Sequence, residues 1–335
     1  MFGALKKLFV VFFILILNNS TTGQCTQNEM LTGELGNIKA SGLQSILLNP
    51  IEVKRDDGSI VQYYLYLKNP KRHTRTLLVI LQGSDCNSVR KIKAIDRLKN
   101  VCPDADMLTV EKYGITEALS YRDEVERKDC PDVYLLHDHP KQRVLDLDKV
   151  ISILRENYHY SKIIIIGGSE GALVGNMITA QADYINATVL FGGGGRFFLD
   201  DVLYSMKFSG LTTEKLNKNI EEFKRFAQYT LSHEPFEISM SNHGYLWWRE
   251  MLSIDQEEFF YRISTPVLIV QGEDDKSVSP AKATEMAKTL QAKGKTNIDY
   301  YLYPGYNHSL NLSSDDNSCE KVIEDIKNWL SMKAL

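Results

Sequence analysis

Residues 163–171 read IIIIGGSEG, from Ile163 through Gly167, Gly168, Ser169 and Glu170 to Gly171. An unbroken isoleucine run is what a strand covered on both faces of a sheet requires. Residues 170–182 beyond it read as a helix. A strand passing straight into a helix needs a tight turn, which the glycines permit, and such a turn lifts the Ser169 hydroxyl above the sheet edge. The backbone N–H of Glu170 then stands at a helix start and points toward any developing negative charge. A Gly-Ser phosphate-binding turn is the rival reading, but the lysine of a P-loop is missing.

Working outward, residues 51–53 and 60–67 are strand-like and joined by Asp56-Asp57-Gly58-Ser59, so they predict a hairpin. Short apolar runs at 77–81, 107–110, 133–136, 187–191, 266–270 and 298–302 predict further strands. Helical spacing marks 89–98, 280–292 and 319–330. In 142–156 it sets Val144, Leu147, Val150, Ile151 and Leu154 on one stripe. Strands alternating with helices predict an α/β architecture, a mostly parallel sheet with helices on both faces. Residues 196–263 break the rhythm. They contain helical runs and the aromatics Tyr245, Trp247, Trp248 and Phe259, and predict a helical cap with an apolar substrate pocket.

The chain has 335 residues, and its 39 Lys+Arg against 43 Asp+Glu exclude a general nucleic-acid binder. Residues 1–7 are basic through Lys6 and Lys7, 8–17 are apolar, and 18–23 are small and polar, the pattern of a secretory signal peptide cleaved after Gly23. The apolar run falls well short of the ~20 residues of a membrane span. The expectation is one domain over 24–335, secreted or periplasmic, with no stable membrane span. A lipid anchor on Cys25 is the alternative, although Gln24 before it departs from the lipoprotein pattern. Setting Cys25 aside leaves Cys86, Cys102, Cys130 and Cys319, and four cysteines allow three pairings that the sequence leaves open.

A serine hydroxyl needs a base to act as nucleophile, and the base needs an orienting acid. The run at 266–270 leads into Gly272-Glu273-Asp274-Asp275-Lys276-Ser277-Val278, and that at 298–302 into Pro304-Gly305-Tyr306-Asn307-His308. With the elbow around Ser169, these three motifs in this order resemble the α/β-hydrolase family, near its exported bacterial prolyl-oligopeptidase and dienelactone-hydrolase branches. The resemblance spans nearly all of 24–335. It implies Ser169 as nucleophile, His308 as base and then acid, and Asp275 as orienter, with Glu273 and Asp274 as rivals for the acid. Gln82-Gly83-Ser84-Asp85-Cys86 stands where the family has His-Gly, and the N–H of Ser84 is expected to pair with that of Glu170 as oxyanion donors. A Cys86–Cys102 bridge would rigidify that loop. No metal or cofactor is implied, and His137-Asp138-His139 reads as a polar loop. The expected activity is hydrolysis of carboxylic esters of small molecules, with a small peptidase or amidase acting on short peptides as the alternative. A catalytically silent hydrolase-fold binding protein is the alternative from another class.

Overall fold

A computed structural model describes residues 49–69, 75–124, 126–312, 314–315 and 318–333. The expected signal peptide, its cleavage point and Cys25 lie outside the described residues. The strands are β1 (Ile51–Lys54), β2 (Ile60–Tyr66), β3 (Thr76–Leu81), β4 (Asp106–Val110), β5 (Lys162–Gly168), β6 (Ala187–Phe191), β7 (Val267–Gly272) and β8 (Ile298–Tyr303). They form one eight-stranded sheet of order β1-β2-β4-β3-β5-β6-β7-β8. β1 and β2 join antiparallel, as do β2 and β4, and all other pairs are parallel. The isoleucine strand β5 lies between β3 and β6, so its backbone is paired on both sides.

The helices are α1 (Lys93–Leu98), α2 (Asp132–His137), α3 (Pro140–Tyr158), α4 (Glu170–Gln181), α5 (Phe198–Ser205), α6 (Thr213–Ser232), α7 (Tyr245–Ser253), α8 (Gln256–Arg262), α9 (Pro280–Ala292) and α10 (Cys319–Met332). Side chains of a strand alternate between its two faces. Ile163 and Ile165 therefore join one core, with Val144, Leu147, Val150, Ile151 and Leu154 of α3. Ile164 and Ile166 join the other, with Val322, Ile326 and Trp329 of α10. Each fully buried side chain of this kind contributes ~1.5–3 kcal/mol. Helices α5 to α8 fill the stretch between β6 and β7, and Phe223, Phe226, Trp247 and Trp248 from them extend the first core. Among the described residues, no helix is long and apolar enough to cross a membrane.

Three expectations need correction. Residues 133–136 belong to helix α2, not to a strand. A short apolar run does not distinguish the two by periodicity. Here Pro131 caps the helix start, Tyr134 turns inward, and Val133 and Leu136 face solvent. The helix expected over 89–98 begins as a 3-10 turn (Val89–Lys91) before α1. The disulfide joins Cys86 to Cys130, with Cα atoms 5.9 Å apart, and Cys102 stays a thiol. Cys86 follows the carboxyl end of β3 whereas Cys102 precedes the amino end of β4. Because these strands run parallel, the two cysteines lie at opposite edges of the sheet.

Candidate active site

Ser169 stands between β5 and α4 with φ 55° and ψ −123°, a left-handed conformation that a serine adopts only under constraint. The constraint comes from close backbone approach. Ser169 N–H donates to Phe191 O on β6 (2.9 Å). A Cβ on Gly167 would meet Gly171 O at 2.1 Å, and one on Gly171 would meet Leu81 O at 2.5 Å and Gln82 O at 2.7 Å. The turn therefore requires glycine on both sides of the serine.

The loop after β7 leaves Glu273 and Asp274 exposed and buries Asp275 completely. Asp275 Oδ1 accepts from the N–H groups of Ser277 (2.8 Å) and Val278 (3.0 Å), and Oδ2 accepts from Gln271 Nε2 (2.9 Å). His308 Nδ1 lies 2.7 Å from the same Oδ2. The loops that bring them together are tied by backbone, Glu273 N–H to Tyr303 O and Asp274 N–H to Tyr306 O, each 2.9 Å. Burial alone would lower the His308 pKa, but the charge and hydrogen bond of Asp275, with a further contribution from Asp201, outweigh it and raise it above the ordinary histidine value.

Ser169 and Ser84 border two cavities. One is apolar and lies under the helices between β6 and β7, with Leu173, Phe198, Val202, Trp247, Met251 and Ile254 on its walls. The other includes His308 and counts the charged residues Asp85, Arg122, Asp123 and Glu124 among its lining. Gln82, in the place of the family's histidine, closes the 82–87 loop through its Nε2 to Asn87 O (3.0 Å).

Of the three aromatics expected to bind substrate, only Trp247 lines the cavity at Ser169. Trp248 is fully buried among Phe198, Phe223 and Phe226, and Tyr245 sits at a separate surface hollow with its hydroxyl on His233 O (2.8 Å). Trp248 thus belongs to the core of the cap, and Tyr245 packs on Phe236 beside it.

The sequence assigned Glu170 only a backbone role and missed its carboxylate, which is buried. Oε1 accepts from Arg143 Nη1 (2.7 Å) and Oε2 from Trp247 Nε1 (3.0 Å). Burial would raise its pKa, but the charges of Lys112 and Arg143 hold it well below the usual carboxylate range. His243 stacks on Trp247 (3.7 Å between ring centroids) and meets Tyr134 OH at 3.1 Å. Burial pushes its pKa down to about 3, so it is neutral. The readable signal was Arg143, one helical turn before Leu147 on the buried stripe of α3. His137 stacks on Tyr113, His139 faces the Glu250 carboxylate at 3.0 Å, and Asp138 is buried, so the three diverge. Among the described residues, no group of three or more metal-ligating side chains is placed to hold an ion.

The family described as BAAT / Acyl-CoA thioester hydrolase C terminal matches residues 148–313, which include Ser169, Asp275 and His308. No curated protein matches the chain. Among solved structures, Est1E from Butyrivibrio proteoclasticus superposes with a TM-score of 0.59 at 16% identity, over 85% of this chain and 98% of that one. A second Est1E structure holds ferulic acid (TM-score 0.59, 17% identity, 85% and 99% covered). The Pyrococcus furiosus esterase Pf2001 superposes with a TM-score of 0.57 at 14% identity, over 89% and 95%. At these identities the likeness is one of fold. Taken with the strand order, it gives this chain the α/β-hydrolase fold.

Proposed function

We propose that this protein is an exported serine hydrolase that cleaves carboxylic esters through a Ser169 acyl-enzyme. The observation that carries the reading is His308 Nδ1, 2.7 Å from the buried Asp275 carboxylate, in a cleft shared with Ser169. Asp275 orients His308 so that its other ring nitrogen takes the proton of Ser169 Oγ as that oxygen attacks the acyl carbon. The amides of Ser84 and Glu170 receive the negative charge of the tetrahedral intermediate. His308 then returns the proton to the departing alcohol, and water repeats the sequence to release the acid.

The two cavities support a division of the substrate. A leaving group protonated by His308 belongs in the cavity with the charged lining, where the histidine lies. The acyl group then enters the apolar cavity under Trp247 and Met251. Asp85, Asp123 and Glu124 against Arg122 favour a neutral or cationic leaving group over a polyanionic one. A second reading, an acyl thioester, is favoured by the family match over 148–313. Comparing kcat/KM for p-nitrophenyl esters of increasing acyl length, acyl-CoA thioesters and aminoacyl anilides separates these. Esters should lead. Anilides ahead of both would overturn the ester reading in favour of a peptidase.

Export is supported by the pattern of residues 1–23 and by the Cys86–Cys130 bridge, since disulfides persist in oxidising compartments. The mass of the protein recovered outside the cytoplasm should correspond to a chain starting at Gln24. Full-length protein confined to the cytoplasm would contradict export.

A further inference from the structure

Behind the serine turn lies a buried charged cluster that the proposed acyl transfer does not itself use. Arg143, Lys112 and Glu170 are each exposed by 6% or less. Arg143 donates from Nη1 to Glu170 Oε1 (2.7 Å) and from Nη2 to Gln82 O (2.9 Å). Lys112 Nζ donates to Asp85 O (2.9 Å) and lies 3.6 Å from Glu170 Oε2. Tyr134 OH adds a second donor to Asp85 O at 3.2 Å. Gln82 and Asp85 flank Gly83-Ser84, so the two cations grip the Ser84 loop on both sides and Glu170 on the other.

We propose that Arg143 and Lys112 are positioning residues that fix the Ser84 amide relative to the Glu170 amide, and so preorganise the oxyanion hole. The two amides belong to separate segments, the loop after β3 and the start of α4, and beside the close backbone approach of Gly171 to Leu81 and Gln82 this pair of cations ties those segments together. Three charges taken out of water are a costly way to pack a core, and apolar side chains of similar volume commonly do as well or better. What apolar side chains cannot do is hold carbonyl oxygens at fixed points, and through them the orientation of the intervening peptides. Donors held in place before the charge develops stabilise it without reorganising. The guanidinium is suited to this role because its two nitrogens reach Glu170 and Gln82 at once.

This inference rests on the Ser169 reading, and its test keeps the two failures apart. Arg143→Met, Arg143→Lys and Lys112→Met are compared with wild type by active-site titration, kcat and KM, inhibition by a trifluoromethyl ketone, and the pH profile of kcat/KM. Arg143→Met should lose ~10²–10³ in kcat with KM little changed. Its trifluoromethyl ketone inhibition should weaken by the same factor as kcat/KM, because that inhibitor forms the tetrahedral oxyanion. The acid limb should stay in place, since His308 and Asp275 are untouched. Arg143→Lys keeps the charge but has one nitrogen, and should lose at least ~10-fold in kcat. Should Arg143→Met fail to fold, Arg143→Lys and Lys112→Met carry the same readouts. Wild-type kcat in folded Arg143→Lys, a rise in KM without loss of kcat, or a loss of kcat without weaker ketone inhibition would overturn the proposal. Failure of the wild type to react with a fluorophosphonate would instead overturn the Ser169 reading.

Discussion

Asp275 Oδ2 meets His308 Nδ1 at 2.7 Å while backbone and side-chain N–H groups saturate the rest of the carboxylate. A carboxylate held this way stabilises the imidazolium over the imidazole, although burial works in the opposite direction. Only the imidazole can take the serine proton. The kcat/KM of the free enzyme should therefore fall as pH drops through a value above the ordinary histidine pKa, ~6.5. Asp275→Asn should move that limb to lower pH and reduce kcat by ~10⁴. An unmoved limb in Asp275→Asn would mean that another group controls it.

Gly171→Ala tests the closeness of the turn. The new Cβ would lie 2.5 Å from Leu81 O and 2.7 Å from Gln82 O, both backbone atoms that cannot step aside alone. The start of α4 must then move away from β3 and from the loop bearing Ser84. Loss of well over ~10-fold in kcat and a lower Tm are expected, given how steeply rate depends on placement. Wild-type activity would show that the close approach is not required.

Trp247 forms a cavity wall and donates to Glu170. Trp247→Phe keeps the wall and removes the donor, at a cost of ~1–3 kcal/mol in denaturant unfolding. Trp247→Ala removes both, at ~3–5 kcal/mol, and should shift the preferred ester toward longer acyl chains. An unchanged chain-length profile in Trp247→Ala would exclude Trp247 from the acyl pocket.

The Cys86–Cys130 bridge closes a loop with a sequence separation of 44. Restricting the unfolded chain by such a loop is worth ~4 kcal/mol. Reduction should lower the midpoint of unfolding accordingly. In unreduced, unfolded protein, maleimide should label Cys102 and spare Cys86 and Cys130. Labelled Cys86 would contradict the pairing.

The fold was legible because its signals are local. The isoleucine run, the glycines around Ser169 and the stripe on α3 each state their role within a few residues. The 133–136 run failed because it is too short to show a period. Three carboxyl groups stand side by side at Glu273, Asp274 and Asp275, and only burial separates the last from its neighbours. The disulfide, the divergence of Trp247 from Trp248, and the gathering of Lys112, Arg143 and Glu170 depend on how β3, β4, α3 and α7 pack. In sequence Lys112 and the Glu170 side chain read as solvated charges, and only the place of Arg143 on the α3 stripe signals otherwise.

The central claim is an activated Ser169. The most direct measurement is fluorophosphonate labelling of the purified protein beside Ser169→Ala, with both confirmed folded by circular dichroism. The account predicts stoichiometric labelling of the wild type, with the adduct on Ser169, and none of the variant. A folded wild type that stays unlabelled, or a variant that labels equally, would contradict it.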